Sequence, residues 1–146
     1  MNTNDARLVR LFTAETASKV PDETPNAKLG APQTTFDLVL EGEAGAAIGG
    51  NGAPYTLTIV CFDWTTGNLA DAALNPTIPT QTFDGPGTLW TASGSGFLTQ
   101  QVFRIPPGAA SLPAAVKGHI FVYTVALVTR DFNIVSTCQS NLFIIV

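Results

Sequence analysis

The stretch Tyr55-Thr56-Leu57-Thr58-Ile59-Val60-Cys61-Phe62 decides the fold. Tyr55, Leu57, Ile59 and Cys61 alternate with Thr56 and Thr58, and a period of two marks a strand with one buried face. β-Branched and aromatic side chains fill it, and these pack well on a pleated surface. Upstream, Phe36-Asp37-Leu38-Val39-Leu40 repeats the alternation, with Phe36, Leu38 and Leu40 on one side. Residues 41–54, EGEAGAAIGGNGAP, join the two. So many glycines do not pack as a regular element, and the segment is expected to be a mobile hairpin tip or a crossing loop.

Further strands are expected at Gly87–Ala92, Phe97–Ile105, His119–Thr129 and Ile134–Val146. Pro106-Pro107-Gly108 stops one of them, because proline lacks the amide a ladder needs. Arg130-Asp131-Phe132-Asn133 separates the last two runs with residues that tolerate turn geometry, which predicts an antiparallel hairpin. Only Asn68–Leu74, NLADAAL, reads as a turn or two of helix. The chain is therefore all-β, an antiparallel β-sandwich of about six or seven strands, and an immunoglobulin-like topology is one connection that fits. The antibody pattern itself is absent, since Trp64 follows Cys61 too closely to belong to a separate strand.

Residues 1–34 read differently. Leu8, Leu11 and Phe12 fit one helical face after an Asn4 or Asp5 cap, yet Arg7-Val9-Leu11 against Leu8-Arg10-Phe12 also alternates as a strand. Lys19–Thr35, KVPDETPNAKLGAPQTT, then carries proline without apolar periodicity, as an extended tether does. The expected organisation is an N-terminal arm or tether over residues 1–34 and a sandwich domain over 35–146.

Composition narrows the partners. A chain of 146 residues with 45% hydrophobic content can bury roughly 70% of its unfolded surface without a staple. Only 12% of its residues are charged, against about 25% in ordinary domains, so the surface is polar but nearly uncharged. The net charge is −4, and the lysines are Lys19, Lys28 and Lys117 alone. No basic stripe exists to neutralise phosphates, which excludes nucleic acid as a partner. No window reaches the roughly 18 apolar residues of a membrane span. The opening MNTNDARLVRLFTAETASKV has neither the basic start nor the apolar run of a secretory signal. Synthesis in the cytoplasm is expected, with Cys61 and Cys138 as thiols, and later release within a particle or filament is compatible with it.

The chain finishes on Ser140-Asn141-Leu142-Phe143-Ile144-Ile145-Val146. In a strand, Leu142, Ile144 and Val146 face one way and Phe143 and Ile145 the other, so both faces are apolar. The preceding run behaves alike, with Phe121, Tyr123, Val125 and Leu127 alternating against Ile120, Val122, Ala126 and Val128. A sandwich covers only one face of each sheet, so the second face needs the arm, the loop from Asp63 to Thr82, or a neighbouring copy. The leading functional expectation is a non-enzymatic structural subunit, a homo-oligomer or a component of a virion, tail or filament. Its expected interface comprises Leu8, Leu11, Phe12, Ile120, Val122, Phe143 and Ile145, with strand exchange by the arm as the means.

No constellation for catalysis emerges. His119 is the only histidine and no glycine elbow surrounds a serine, so it reads as a structural residue at a strand end. Cys61 and Cys138 read as small buried hydrophobes; with His119 they lack metal-ligand spacing, and no metal is expected. Asp63, Asp71 and Asp84 read as loop acids, no calcium loop occurs, and Gly42–Gly52 lacks the lysine of a phosphate loop. No cofactor follows. The alternative function rests on CFDWTTGN and FDGPGTLW, where Trp64 and Trp90 form a stacking platform for a glycan and Asp63, Asn68 and Asp84 supply polar partners. Packing of both indoles in the sandwich core is the competing reading.

Overall fold

Pairing of the alternating segments produces two antiparallel sheets in the computed structural model, which describes residues 2–129 and 131–146; strands hold 46% of the chain and helices 8%. The strands are β1 (Ala6–Ala14), β2 (Phe36–Gly45), β3 (Pro54–Asp63), β4 (Asn68–Leu69), β5 (Gln81–Thr82), β6 (Trp90–Ser93), β7 (Gly96–Ile105), β8 (Ile120–Thr129), β9 (Ile134–Gln139) and β10 (Phe143–Ile144). A four-stranded sheet runs β1-β2-β7-β6. In the six-stranded sheet β8 lies beside β3, β9 and β10 share its other edge, and β4 and β5 pair with β3. β2 and β3 thus lie in different sheets. The glycine-rich segment between them is a crossing loop that opens with a short helix, α1 (Ala46–Gly49).

The N-terminal segment is a strand, and it belongs to the sandwich. β1 pairs with β2 from Ala6 against Ala44 to Ala14 against Asp37, so of the two readings of this segment the strand is the one the structure shows. Its register shifts between Leu8 and Arg10, where Val9 is the extra residue of a bulge. The bulge restores parity: Leu8 and Leu11 are three apart, a helical spacing, yet both sit in the core. The proline-containing tether then folds back on the body. Asp22 N–H donates to the Thr13 carbonyl, and Ile144 N–H donates to that of Glu23. The buried Asn26 side chain accepts from Val146 N–H at 3.0 Å and donates to the Val146 carbonyl at 2.9 Å.

The core lies between the sheets. Phe36, Leu38 and Leu40 of β2 meet Leu57, Ile59 and Cys61 of β3 and Phe121, Tyr123, Val125 and Leu127 of β8 in one cluster. At one end Phe143 stacks on Tyr123, with ring centroids 5.4 Å apart, and tilts against Phe36 and Phe121. At the other, Tyr55, Phe83 and Trp90 pack together. Here the Trp90 Nε1–H donates to the Tyr55 hydroxyl, which donates to Gln81, itself paired with Gln101. A buried polar group without a partner would cost about 1–3 kcal/mol, and this network leaves none of those four groups unpaired.

Two expected elements are corrected. The run Ile134–Val146 is broken at residues 140–142, because Ser140 closes the β9 ladder with its own N–H and hydroxyl on Tyr123. Asn68–Leu74 holds β4 and a single 3-10 turn, Ala72–Leu74, capped by the Asp71 carboxylate. Of the expected β8–β9 turn, Arg130 lies outside the described residues.

Candidate functional site

Among the described residues none forms a layer over the outer face of the six-stranded sheet, and the register states what it displays. Successive rows across the strands are Leu69, Phe62 and Val122, then Val60, Thr124 and Gln139, then Thr58, Ala126 and Thr137, then Thr56, Val128 and Val135. Among these outward positions none is charged. The first row continues at the strand end into Trp64 and Ile120, whose carbonyl accepts the Trp64 N–H at 2.8 Å. Trp64 is 60% exposed, Leu69 72% and Ile120 43%. Val60, Phe62, Trp64, Leu69 and Val122 line a shallow groove of about 440 Å³ that Thr124 and Gln139 complete.

The turn that carries Trp64 is built by Asp63. Its carboxylate accepts from Thr65 N–H at 2.9 Å and Thr66 N–H at 3.2 Å, while its other oxygen lies 2.8 Å from His119 Nδ1. The Thr65 hydroxyl accepts the Ile120 N–H, tying the turn to the start of β8. Burial alone raises the Asp63 carboxyl, but the His119, Thr66 and Thr65 donors outweigh it and hold the group below the usual aspartate range. His119 therefore has a structural partner, as a strand-end histidine does.

Most of the expected interface residues are not at a surface. Leu8, Leu11, Phe12, Phe143 and Ile145 are buried within the chain itself. The correction for Phe143 is one of parity: it pairs with Phe121 and points inward with it, opposite to Ile120 and Val122. Phe12 faces the outside of the four-stranded sheet, under its own small cluster with Ala14 and Val39 and beneath the Arg10 guanidinium. Only Ile120 and Val122 belong to the open face, and Val122 is nearly covered by its neighbours there. Phe62 and Leu69 were missed. Phe62 shares the parity of Thr56 and Thr58, so its outward direction was already readable, whereas Leu69 was hidden in a segment that reads as helix.

The two-tryptophan platform does not form. Trp90 is 1% exposed in the core, far from being a stacking surface. Asp84 serves its own loop: its carboxylate accepts from the N–H groups of Thr88, Leu89 and Trp90. Asp63 is engaged as described, which leaves Trp64 and Asn68 exposed out of the proposed glycan set. Cys61 opposes Tyr123 and Cys138 opposes Val125, so β8 separates the cysteines, and both are free. Among the described residues no group of three or more His, Cys, Asp and Glu side chains converges. No helix among them is long and apolar enough to cross a membrane. Comparison with protein-family models, curated proteins and solved structures finds no match, so the reading of the face rests on its own geometry.

Proposed function

We propose that this protein is a non-enzymatic structural subunit, a sandwich of immunoglobulin-like topology that associates with copies of itself through the outer face of its six-stranded sheet. One observation carries the proposal: that face presents Trp64, Leu69 and Ile120 together, and its outward strand positions bear no charge. Contiguous exposed apolar surface of this kind marks association sites on soluble proteins. The strand order supports the topology, because β1-β2-β7-β6 facing β9-β8-β3 follows the two-sheet order of that sandwich. Asp63 and Asp84 each accept backbone N–H groups of their own loops, with side-chain bonds to His119 and Thr88 beside them, which supports a structural role for both. A compact unit with so few charged residues suits a repeating position in a particle, tail or filament.

Native mass of the full chain by light scattering, at two concentrations a hundredfold apart, tests the reading. A mass that rises with concentration, or a stable multimer at both, is the expected result. A monomer throughout would overturn it.

A further inference from the structure

An asparagine or aspartate followed by glycine can react with its own backbone, because glycine has no side chain to keep the main-chain nitrogen from the neighbouring side-chain carbon. The chain holds two such pairs, Asn51-Gly52 in the crossing loop and Asp84-Gly85 ahead of β6. The structure treats them oppositely. Gly85 N–H is tied to the Gly49 carbonyl at 2.7 Å, and the Asp84 carboxylate accepts the backbone N–H groups of Thr88, Leu89 and Trp90. Attack there would break all of these bonds. Asn51 and Gly52 are both exposed, and among the described residues no group accepts the Gly52 N–H. We infer that Asn51-Gly52 is a self-modification site, at which the exposed asparagine deamidates through a cyclic imide and becomes aspartate or isoaspartate.

The side chain is already placed for the reaction. Asn51 Oδ1 accepts the Ala53 N–H at 2.8 Å, and a side chain bonded to the amide two residues ahead lies alongside the amide between, which is that of Gly52. The same bond draws electron density from Cγ. Space is there too: Gly52 has a φ of +71°, and a Cβ built on it would meet nothing nearer than the Phe83 carbonyl oxygen at 3.9 Å. Ring closure swings the main chain, which an exposed glycine in a loop permits at least cost. Every other asparagine precedes a residue with a side chain, and Asn26 is buried as well. In the reaction the Gly52 amide gives its proton to water and its nitrogen bonds to Asn51 Cγ. The Cγ–Nδ2 bond breaks, and Nδ2 takes up a proton and leaves as ammonia. Water then opens the imide. Cleavage at Cγ gives aspartate on an unaltered chain, whereas cleavage at the main-chain carbonyl carbon gives isoaspartate, with the chain rerouted through Cβ and Cγ. The sum is an amide and water yielding an acid and ammonia, with no oxidant or reductant. Either product adds a negative charge, and isoaspartate also lengthens the main chain, beside the point where the Ala53 carbonyl accepts the Phe83 N–H at 2.9 Å.

Peptide mass mapping tests the site on the full chain, incubated for weeks at neutral pH both folded and unfolded in guanidinium chloride. Deamidation adds the mass difference between an amide and an acid, and chromatography separates the aspartate and isoaspartate forms of the peptide. In the folded protein Asn51 should react before any other asparagine, within about tenfold of its rate in the unfolded chain, as a loop that opens at little cost allows. Isoaspartate should accompany aspartate there, while isoaspartate at Asp84 should form in the unfolded chain alone. Asn51→Gln, its fold verified by far-UV circular dichroism, should lose most of the ammonia release of the folded parent, and undiminished release overturns the assignment. An Asn51 that stays an amide in the folded protein overturns the inference, whether or not it reacts when unfolded. Aspartate without isoaspartate excludes the imide and overturns it as well. Equal reaction of Asp84 in the folded chain removes the contrast on which the assignment stands.

Discussion

Asp84 and Gly87 depend on each other. The Asp84 carboxylate fills the turn ahead of β6, accepting three backbone N–H groups and the Thr88 hydroxyl, and a Cβ on Gly87 would stand 2.3 Å from its Oδ2. Moving that oxygen breaks the bonds it accepts. Gly87→Ala should therefore cost about 1–3 kcal/mol in denaturant unfolding. Asp84→Ala should cost a similar amount, and the double variant little more than either, because both remove one arrangement. Fully additive costs would contradict the coupling. Burial alone raises the Asp84 carboxyl, but the Leu89, Thr88 and Trp90 donors outweigh it, and the group, like Asp63, sits below the usual range. A carboxyl with a folded pKa below its unfolded value of about 3.9 stabilises the fold above that value, and the contribution fades as pH falls through it. The urea midpoint should be level from about pH 7 to pH 5 and drop below about pH 4, with a shallower drop in Asp84→Asn. An unchanged acid slope in that variant would count against Asp84. Among the thiols, burial pushes Cys61 up to about 12, and Cys138 is half-buried. Iodoacetamide applied to the native protein at neutral pH should modify Cys138 and spare Cys61, as peptide mass mapping can show.

At the scale of elements, the last strand is held as much by a side chain as by its sheet. β10 contributes only Phe143 and Ile144 to the pairing with β8, and Asn26 supplies both a donor and an acceptor to Val146 while also donating to the Gln33 carbonyl. Asn26→Ala strands those backbone groups and should destabilise the fold by about 2–4 kcal/mol. It should also accelerate amide hydrogen exchange at Val146 and Ile144 well before the β3 amides respond. Equal acceleration throughout would mean that the clamp is no local device. This element also shows where reading by period stops. Two-residue alternation located β3, β7 and β8 to within a residue of their ends, but it stopped β2 at Leu40, whereas the strand runs on to Gly45 through residues read as loop. It left β1 open between helix and strand, since the bulge at Val9 inserts one residue and gives Leu8 and Leu11 a helix's spacing. It ran β9 and β10 together, since the hydroxyl that ends the first ladder looks like any other serine.

For the whole molecule, the tests of association carry the most weight, because the outer face of the six-stranded sheet exposes Trp64, Leu69, Ile120, Val128 and Val135, more large apolar side chains than the Val9, Leu98 and Val102 of the four-stranded sheet. A stable multimer that Leu69→Lys dissolves would make that face the working surface of the protein. By itself the sequence determined the class and the style of surface: alternation dictates strands, and a charged fraction of 12% dictates an exterior with few charges. Direction within β3 was equally legible, so its outward threonines and Phe62 could be assigned from parity alone. Only the tertiary structure decided which apolar residues meet. Both faces of the final run read as open, yet Phe143 and Ile145 are core because β10 pairs with β8 in one register and not the other. Trp64 and Trp90 occur in similar local contexts, and one is exposed while the other is buried. The reason is physical: burial is a property of long-range pairing, and the residues that cover a side chain lie in segments whose distance along the chain carries no local signal.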